Sequence, residues 1–185
     1  MIEWFTSSDG IWEHVWKTLD QGVRDADHPA RLPTFATVSP EGWPEARTVV
    51  LRSADENTRS LTVHTDLFSS KIRSLRDVPR AALHVWDKSL ALQLRLQTEV
   101  TIEAGPQTDA LWRRIPDHAQ QSYGVTPPPG TPIEDALAYE KTPDPDSFAV
   151  LRCKVVAIDA VHLGQQHRRI RFSDAQDWQG EWLSP

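Results

Sequence analysis

A single cysteine, Cys153, leaves no partner for an internal disulfide and removes the usual mark of a secreted domain. No apolar run approaches the length that spans a bilayer, and the opening MIEWFTSSDG is acidic and polar, unlike a signal peptide. A cytoplasmic protein that does not engage membranes is therefore expected. Positive charge is in deficit: 20 Lys and Arg stand against 26 Asp and Glu, a formal net charge of -6. Nucleic-acid binders carry the opposite balance, so nucleic acid is not the expected partner, although HRRIR at 167–171 is a local basic run. Neither GxGxxG nor GxxxxGK[ST] occurs, which removes the Rossmann and P-loop fingerprints. HExxH and GxSxG are absent too, and the seven histidines are scattered. His162 and His167 lie five apart across an expected turn, a spacing that suits no standard metal site. No metal is expected. Cys153 sits in the apolar stretch LRCKVV and reads as a buried structural thiol.

What is present is enough chain, at 185 residues, for one domain with a proper core. Residues 7–26 place Ile11, Val15, Trp16, Leu19 and Val23 at helical spacing behind a Ser8 or Asp9 cap, so an amphipathic helix over about 9–26 is expected. From residue 32 the period changes. LPTFATVS, ARTVVLRS, SLTVHTD, RAALHVWD and LALQLRLQTEVTIEA read as strands, separated by turn signals such as PEGWP and ADENTRS. In the last of them Leu90, Leu92, Leu94 and Leu96 point one way, and Ala91, Gln93, Arg95 and Gln97 the other. SSKIRSLRDVP forms a short helix ended by Pro79. Residues 108–124 read as a second helical stretch, TPPPGTP as a stiff loop, and IEDALAYEK as another short helix. Residues 147–163 form a long strand, and HRRIRF with a Trp-rich tail closes the chain. Consecutive strands with few helices between them predict a mainly β, antiparallel barrel of meander or Greek-key type, with flanking helices. The barrel is expected over about 32–172 and a tail over 173–185, within one domain spanning 1–185.

Polar and cationic residues cluster on these strands. Arg47 and Arg52 flank the apolar TVVL, His64 and Thr65 end the next strand, Ser69, Ser70 and Lys71 open a helix, and Gln93 shares a face with Arg95. Two readings fit. One is a solvated outer face beside a capped helix. The other is an anion site, in which helix N–H groups, Arg and Lys surround a phosphate and Gln93 bonds a flat heterocycle.

RTVVLR, HTDLFSSK, LQLRLQTEV, HRRIRF and a terminal LSP, in that order, resemble the pyridoxamine 5'-phosphate oxidase superfamily over roughly residues 30–185. The spacing matches as well, with six residues from Thr65 to Lys71 and twenty-two from Lys71 to Gln93. The resemblance implies a six-stranded antiparallel split barrel of Greek-key type, binding FMN at the interface of a homodimer. It implies that Arg47, Thr48, Val49, Val50 and Arg52 line the flavin, with Arg47 at its phosphate. His64 and Thr65 match the family's strand-end pair. Ser69, Ser70 and Lys71 take the place of its S-R-K at the phosphate. Gln93 matches the residue on the isoalloxazine edge. Gln121 and Ser122 resemble a pair reaching the flavin from the partner subunit. Arg169 matches the cation near the pyrimidine end, where positive charge stabilises a reduced, anionic flavin.

The departures fall on the substrate side. Ser70 stands where the family has a phosphate cation, and Gln165-Gln166-His167 where it has Arg-x-His. His162 and Leu163 occupy the region of an upstream Trp, Arg52 replaces a Lys, and LWRRIPDHAQ lacks the family's Tyr, Arg and Ser. The flavin site is mostly kept and the pyridoxal phosphate site mostly lost, so the chain looks closer to the branch described only as FMN-binding. The resemblance thus implies an FMN-dependent oxidoreductase acting on an unidentified small molecule. The alternatives are a pyridoxamine or pyridoxine 5'-phosphate oxidase and a non-catalytic flavin- or haem-binding protein. No acid or base is obvious, and His167 is the best catalytic candidate because its ordinary pKa is near neutrality.

Overall fold

The computed structural model describes residues 3–185. Helix α1 (Ser8–Arg24) begins where the Ser7 hydroxyl accepts the Gly10 amide at 3.1 Å. Its apolar stripe, Ile11, Val15, Trp16 and Leu19, is buried. After a 3-10 turn at Pro29–Arg31, β1 (Thr34–Val38) and β2 (Pro44–Thr48) form a hairpin. The strand expected at ARTVVLRS is interrupted at Val49–Val50 and resumes as β3 (Leu51–Asp55), which pairs with β4 (Ser60–Asp66). Helix α2 (Ser70–Asp77) leads to β5 (Arg80–Asp87), which turns into β6 (Leu92–Ala104). The expected alternation in β6 holds from Leu92 onward; Leu90 and Ala91 belong to the turn, where Ala91 has a φ of 47°.

Residues 108–124 are not one helix. They form two single turns, α3 (Asp109–Trp112) and α4 (Asp117–Gln120). Pro116, which has no N–H and stands at the N-cap of α4, divides them. The helix expected at 133–141 does not form. The Asp135 carboxylate accepts the Leu137 amide at 2.8 Å in a local turn, which competes with helical bonding. This connection instead contains the two-residue pair β7 (Val125–Thr126) and β8 (Glu140–Lys141). The long strand β9 (Phe148–His162) follows, then β10 (Arg168–Ser173) and β11 (Glu181–Leu183), so the tail adds an edge strand.

The pairings return on themselves. β1 pairs with β2 and β5, β5 with β6, β6 with β9, β9 with β4, and β4 with β3. Because β3 continues β2 through residues 49–50, where the Val49 amide donates to the Pro33 carbonyl, the six-stranded antiparallel ring closes. β9 is long enough to pair with β4 through its first half and β10 through its second, which splits the barrel. Leu51, Leu61, Val63, Leu83, Leu94, Leu96, Leu151 and Phe35 fill the interior. Cys153 is buried among them, and burial pushes its thiol up to about 12. A smaller cluster of Tyr123, Phe148 and Val150, with Leu111, Trp112 and Ile115 against it, seals the outer side of β9 under α3 and α4. No helix of the described residues is long and apolar enough to cross a membrane.

Candidate functional site

The corner between β4 and α2 brings together four residues that sequence alone suggested. Thr65, the penultimate residue of β4, has its side chain buried, and Lys71 reaches back from the first turn of α2. The Lys71 ammonium donates to Thr65 Oγ1 at 2.8 Å and to Ser69 Oγ at 3.1 Å. Ser69 stands at the N-cap, but its hydroxyl donates to the Asp66 carbonyl at 2.8 Å and does not cap the helix. Ser70 is exposed beside it. Burial, and then the nearby Arg47 guanidinium, hold the Lys71 pKa below its ordinary value, with Asp66 opposing. Arg47 lies on β2, half-buried, where its Nη1 donates to Thr37 Oγ1 at 2.7 Å and its Nη2 to Glu45 Oε2 at 2.8 Å.

Asp66 organises this corner and was not signalled by any motif. One carboxylate oxygen accepts the Phe68 amide at 2.8 Å and the other the Gly124 amide at 3.1 Å. The acid is thus occupied by backbone donors. It also ties the connection after α4 to the β4–α2 turn. Gly124 has a φ of 100°, and a Cβ there would fall on the Thr142 carbonyl, so the tie requires glycine.

A second group lies across β4. His64 points to the opposite face from Val63 and packs edge-on against Phe148 at 5.1 Å between centroids. Burial, and then the charges of Arg52 and Arg152, pull its pKa down to about 4. Arg52 sits at the irregularity between β3 and β4, and its buried Nε has no hydrogen-bond partner. Burial raises the Tyr123 phenol, while Arg52 beside it acts in the opposite direction. Val49 is buried and Val50 half-buried at the break between β2 and β3, and Thr48 is exposed. Gln121 and Ser122 are exposed in the turn preceding Tyr123.

The third group occupies the outer face of β5, β6, β9 and β10. Register aligns Trp86, Gln93, Val161 and Arg169 in one row across these four strands. Arg169 is bound to Asp159, Nη2 to Oδ2 at 2.8 Å and Nε to Oδ1 at 3.2 Å. That hydrogen bond and charge hold the guanidinium above its ordinary pKa. Arg95 joins the same carboxylate at 2.6 Å. His167 is exposed in the turn between β9 and β10 and joins none of the three groups. Before that turn, His162 is stacked on Phe5 at 4.1 Å, where the resemblance expected a Trp.

The β4–α2 corner suits a phosphate. An ammonium has three donors, and Lys71 spends two on hydroxyls, leaving one for an incoming oxygen. The opening amides of α2 have no side-chain cap and favour an anion. The unpartnered Arg52 Nε belongs to the second group, on the far side of β4, and adds nothing to this corner.

The sequence profile for the FMN-binding domain of pyridoxamine 5'-phosphate oxidase matches residues 13–104. The chain is 38% identical over 94 residues to a pyridoxine/pyridoxamine 5'-phosphate oxidase of Alkalilimnicola ehrlichii, covering 51% of this chain and 46% of that protein. It is 32% identical to the oxidase of the same name from Azorhizobium caulinodans, over 74% of this chain and 63% of the other. The chain therefore spans about half to three-fifths of the length of these relatives. A solved pyridoxamine 5'-phosphate oxidase-related, FMN-binding protein from Nostoc punctiforme superposes with a TM-score of 0.77 at 28% identity, covering 94% of this chain and 96% of that one.

Proposed function

Because the chain belongs to the pyridoxamine 5'-phosphate oxidase-like FMN-binding superfamily, we propose that it is an FMN-dependent oxidoreductase acting on a small molecule and working as a homodimer. The observation that carries this reading is the Lys71 ammonium, half-buried on Thr65 and Ser69 with Arg47 close by. A cation confined there against its own desolvation is explained by an anion that it awaits. FMN supplies hydride and electron transfer when bound.

The chain's own residues bind and orient. Arg47, Lys71, Thr65, Ser69 and Ser70 take the phosphate, and the backbone of Thr48 to Val50 runs alongside. Gln93 and Arg169 address the ring from the outer face. Arg52 and His64 stand on the far side of β4, where His64, held neutral by burial, accepts or donates a hydrogen bond without carrying charge.

The homodimer is supported by the separation of these groups. Four strands lie between β2, which carries Arg47, and β10, which carries Arg169, in the order of the sheet. One flavin engaging both is shared between two copies, with Gln121 and Ser122 exposed for the partner's flavin. His167, exposed in the turn between β9 and β10, is the candidate for proton transfer.

A pyridoxamine or pyridoxine 5'-phosphate oxidase is the second reading, favoured by the names of the relatives. The Gln165-Gln166-His167 turn weakens it, because Gln does not reproduce a bidentate Arg grip on an anion.

The test is an absorption spectrum of the purified chain before and after FMN titration, followed by addition of pyridoxamine 5'-phosphate in air. Saturable uptake of one FMN per chain is expected, with no turnover of the added amine. No uptake at micromolar FMN overturns the proposal, and turnover establishes the second reading.

A further inference from the structure

The outer-face cleft, about 450 Å³ in volume, is lined by Arg95, Gln97, Asp159, Arg169, Arg171 and Leu183 with smaller neighbours. Three guanidiniums face one carboxylate there. Asp159 sits at the centre: register pairs it with Arg95 on β6 and with Arg171 on β10. Its side chain is 18% exposed, against 47% for Arg95 and 32% for Arg169. Every side-chain hydrogen bond of Arg169 among the described residues goes to Asp159. Those bonds use the Nε and Nη2 edge of the guanidinium and leave the Nη1 edge unengaged.

We propose that Asp159 is the positioning residue for the ring-end cation: by gripping one edge of Arg169, with Arg95 braced on the same oxygen, it presents the free edge of that guanidinium toward Gln93 and the flavin. The inference rests on the FMN reading above. An arginine side chain is long and loses much rotamer freedom when fixed, so its direction must come from a partner. Asp159 is the sole acid lining this cleft. Without it, mutual repulsion of Arg95, Arg169 and Arg171 turns Arg169 outward to water. A carboxylate so close to a flavin site otherwise makes little sense, because it cancels part of the positive charge that favours the reduced ring.

That opposition makes the inference testable by sign. If Asp159 merely neutralises charge, Asp159→Asn leaves more positive charge at the ring, which raises the flavin's reduction potential and tightens binding. If Asp159 positions Arg169, the same variant binds FMN about tenfold more weakly, as for losing one charge-assisted hydrogen bond, and the potential falls. The experiment is a titration of the full chain and of D159N with FMN, read by flavin fluorescence, followed by a spectroscopic redox titration of both. Weaker binding together with a more negative potential is expected. Asp159→Glu keeps the charge but moves it by one methylene, so it is expected to shift both quantities the same way by less. Should D159N fail to fold, the comparison is made with D159E against the unaltered chain. Unchanged or tighter FMN binding with a more positive potential overturns this inference alone. An unaltered chain that takes up no FMN overturns the proposed function, and this inference with it.

Discussion

Lys71→Met separates what the β4–α2 corner does for a ligand from what it does for the fold. Methionine keeps the length of the stem and removes the charge. The structure predicts opposite outcomes for the two properties. With an anion present, Lys71 offers its third donor as a charge-assisted hydrogen bond, worth about 1–3 kcal/mol. FMN affinity should then fall by about fivefold to 150-fold. Without the anion, the folded chain confines an ammonium that burial and Arg47 disfavour. The folded state holds its proton less tightly than the unfolded state does. Through the window between the lowered pKa and the ordinary 10.5, the unfolded chain therefore binds more protons, and the contribution of Lys71 to stability rises with pH. Below that window its charge opposes folding.

The unliganded variant should accordingly melt no lower than the parent at neutral pH. The hydroxyls it abandons still have partners: Thr65 Oγ1 lies 3.2 Å from Ser69 Oγ, and Ser69 donates to the Asp66 carbonyl. The assay is a pair of thermal melts, with and without saturating FMN, beside a fluorescence titration. The parent gains stability with ligand as RT ln(1 + [FMN]/Kd), and the variant should gain less because its Kd is larger. An unchanged Kd refutes the placement of the phosphate. A large loss of unliganded stability refutes the argument that the ammonium is held at a cost.

Other consequences follow from the same geometry. With its pKa near 4, His64 binds its proton later than it would unfolded, so its contribution to stability is complete above about 6.5 and is lost as the pH falls toward 4. The His64 ring resonances should therefore not titrate between pH 8 and 5, and a midpoint near 6.5 would contradict its burial between two guanidiniums. Cys153, pushed up to about 12, should not react with a thiol reagent at pH 8 until denaturant is added; rapid reaction in the native state would contradict a closed barrel. Gly124→Ala should cost at least about 1–3 kcal/mol, since its backbone is left-handed and the new methyl meets the Thr142 carbonyl. A melt indistinguishable from the parent would mean that the Asp66–Gly124 tie does not hold that connection.

Much of the barrel was legible because its strands obey a period that burial enforces. Leu92, Leu94 and Leu96 are buried, and the alternate residues Arg95 and Gln97 are exposed, as alternation requires. The β4–α2 cluster was legible for a related reason: Thr65, Ser69 and Lys71 meet across one strand end and one helical turn, so local spacing alone brings them within bonding distance. Asp66 and Asp159 were not legible. Their importance lies in what other segments bring to them, the Gly124 amide from 58 residues away and the Arg95 guanidinium from 64. The failed helices mark the same boundary. Residues 133–141 have helical composition, but Ile133, Leu137 and Tyr139 remain exposed, so no buried face outweighs the local bond at Asp135.

The interruption at Val49–Val50 is the feature on which fold and site depend together. Read from composition, ARTVVLRS is one strand. In the structure its first half serves β1 and its second half β4, and the break closes the ring. Arg47 and Arg52, an odd number of residues apart, lie on different sides of the barrel wall as strand alternation requires, and the break adds a change of partner strand between them. Arg47 faces the row of Phe35, where its guanidinium bonds Thr37 and Glu45 and its charge is felt at Lys71, whereas Arg52, at the irregularity opposite Val63, stands beside His64 and Tyr123. An unbroken strand would put residues five apart on opposite faces of a single pleat, with no bulge to re-aim either side chain. Because the strand changes partners at the break, two arginines from one short motif stand in two different surroundings: Arg47 beside the β4–α2 corner, and Arg52 on the far side of β4, where its buried Nε lacks an acceptor.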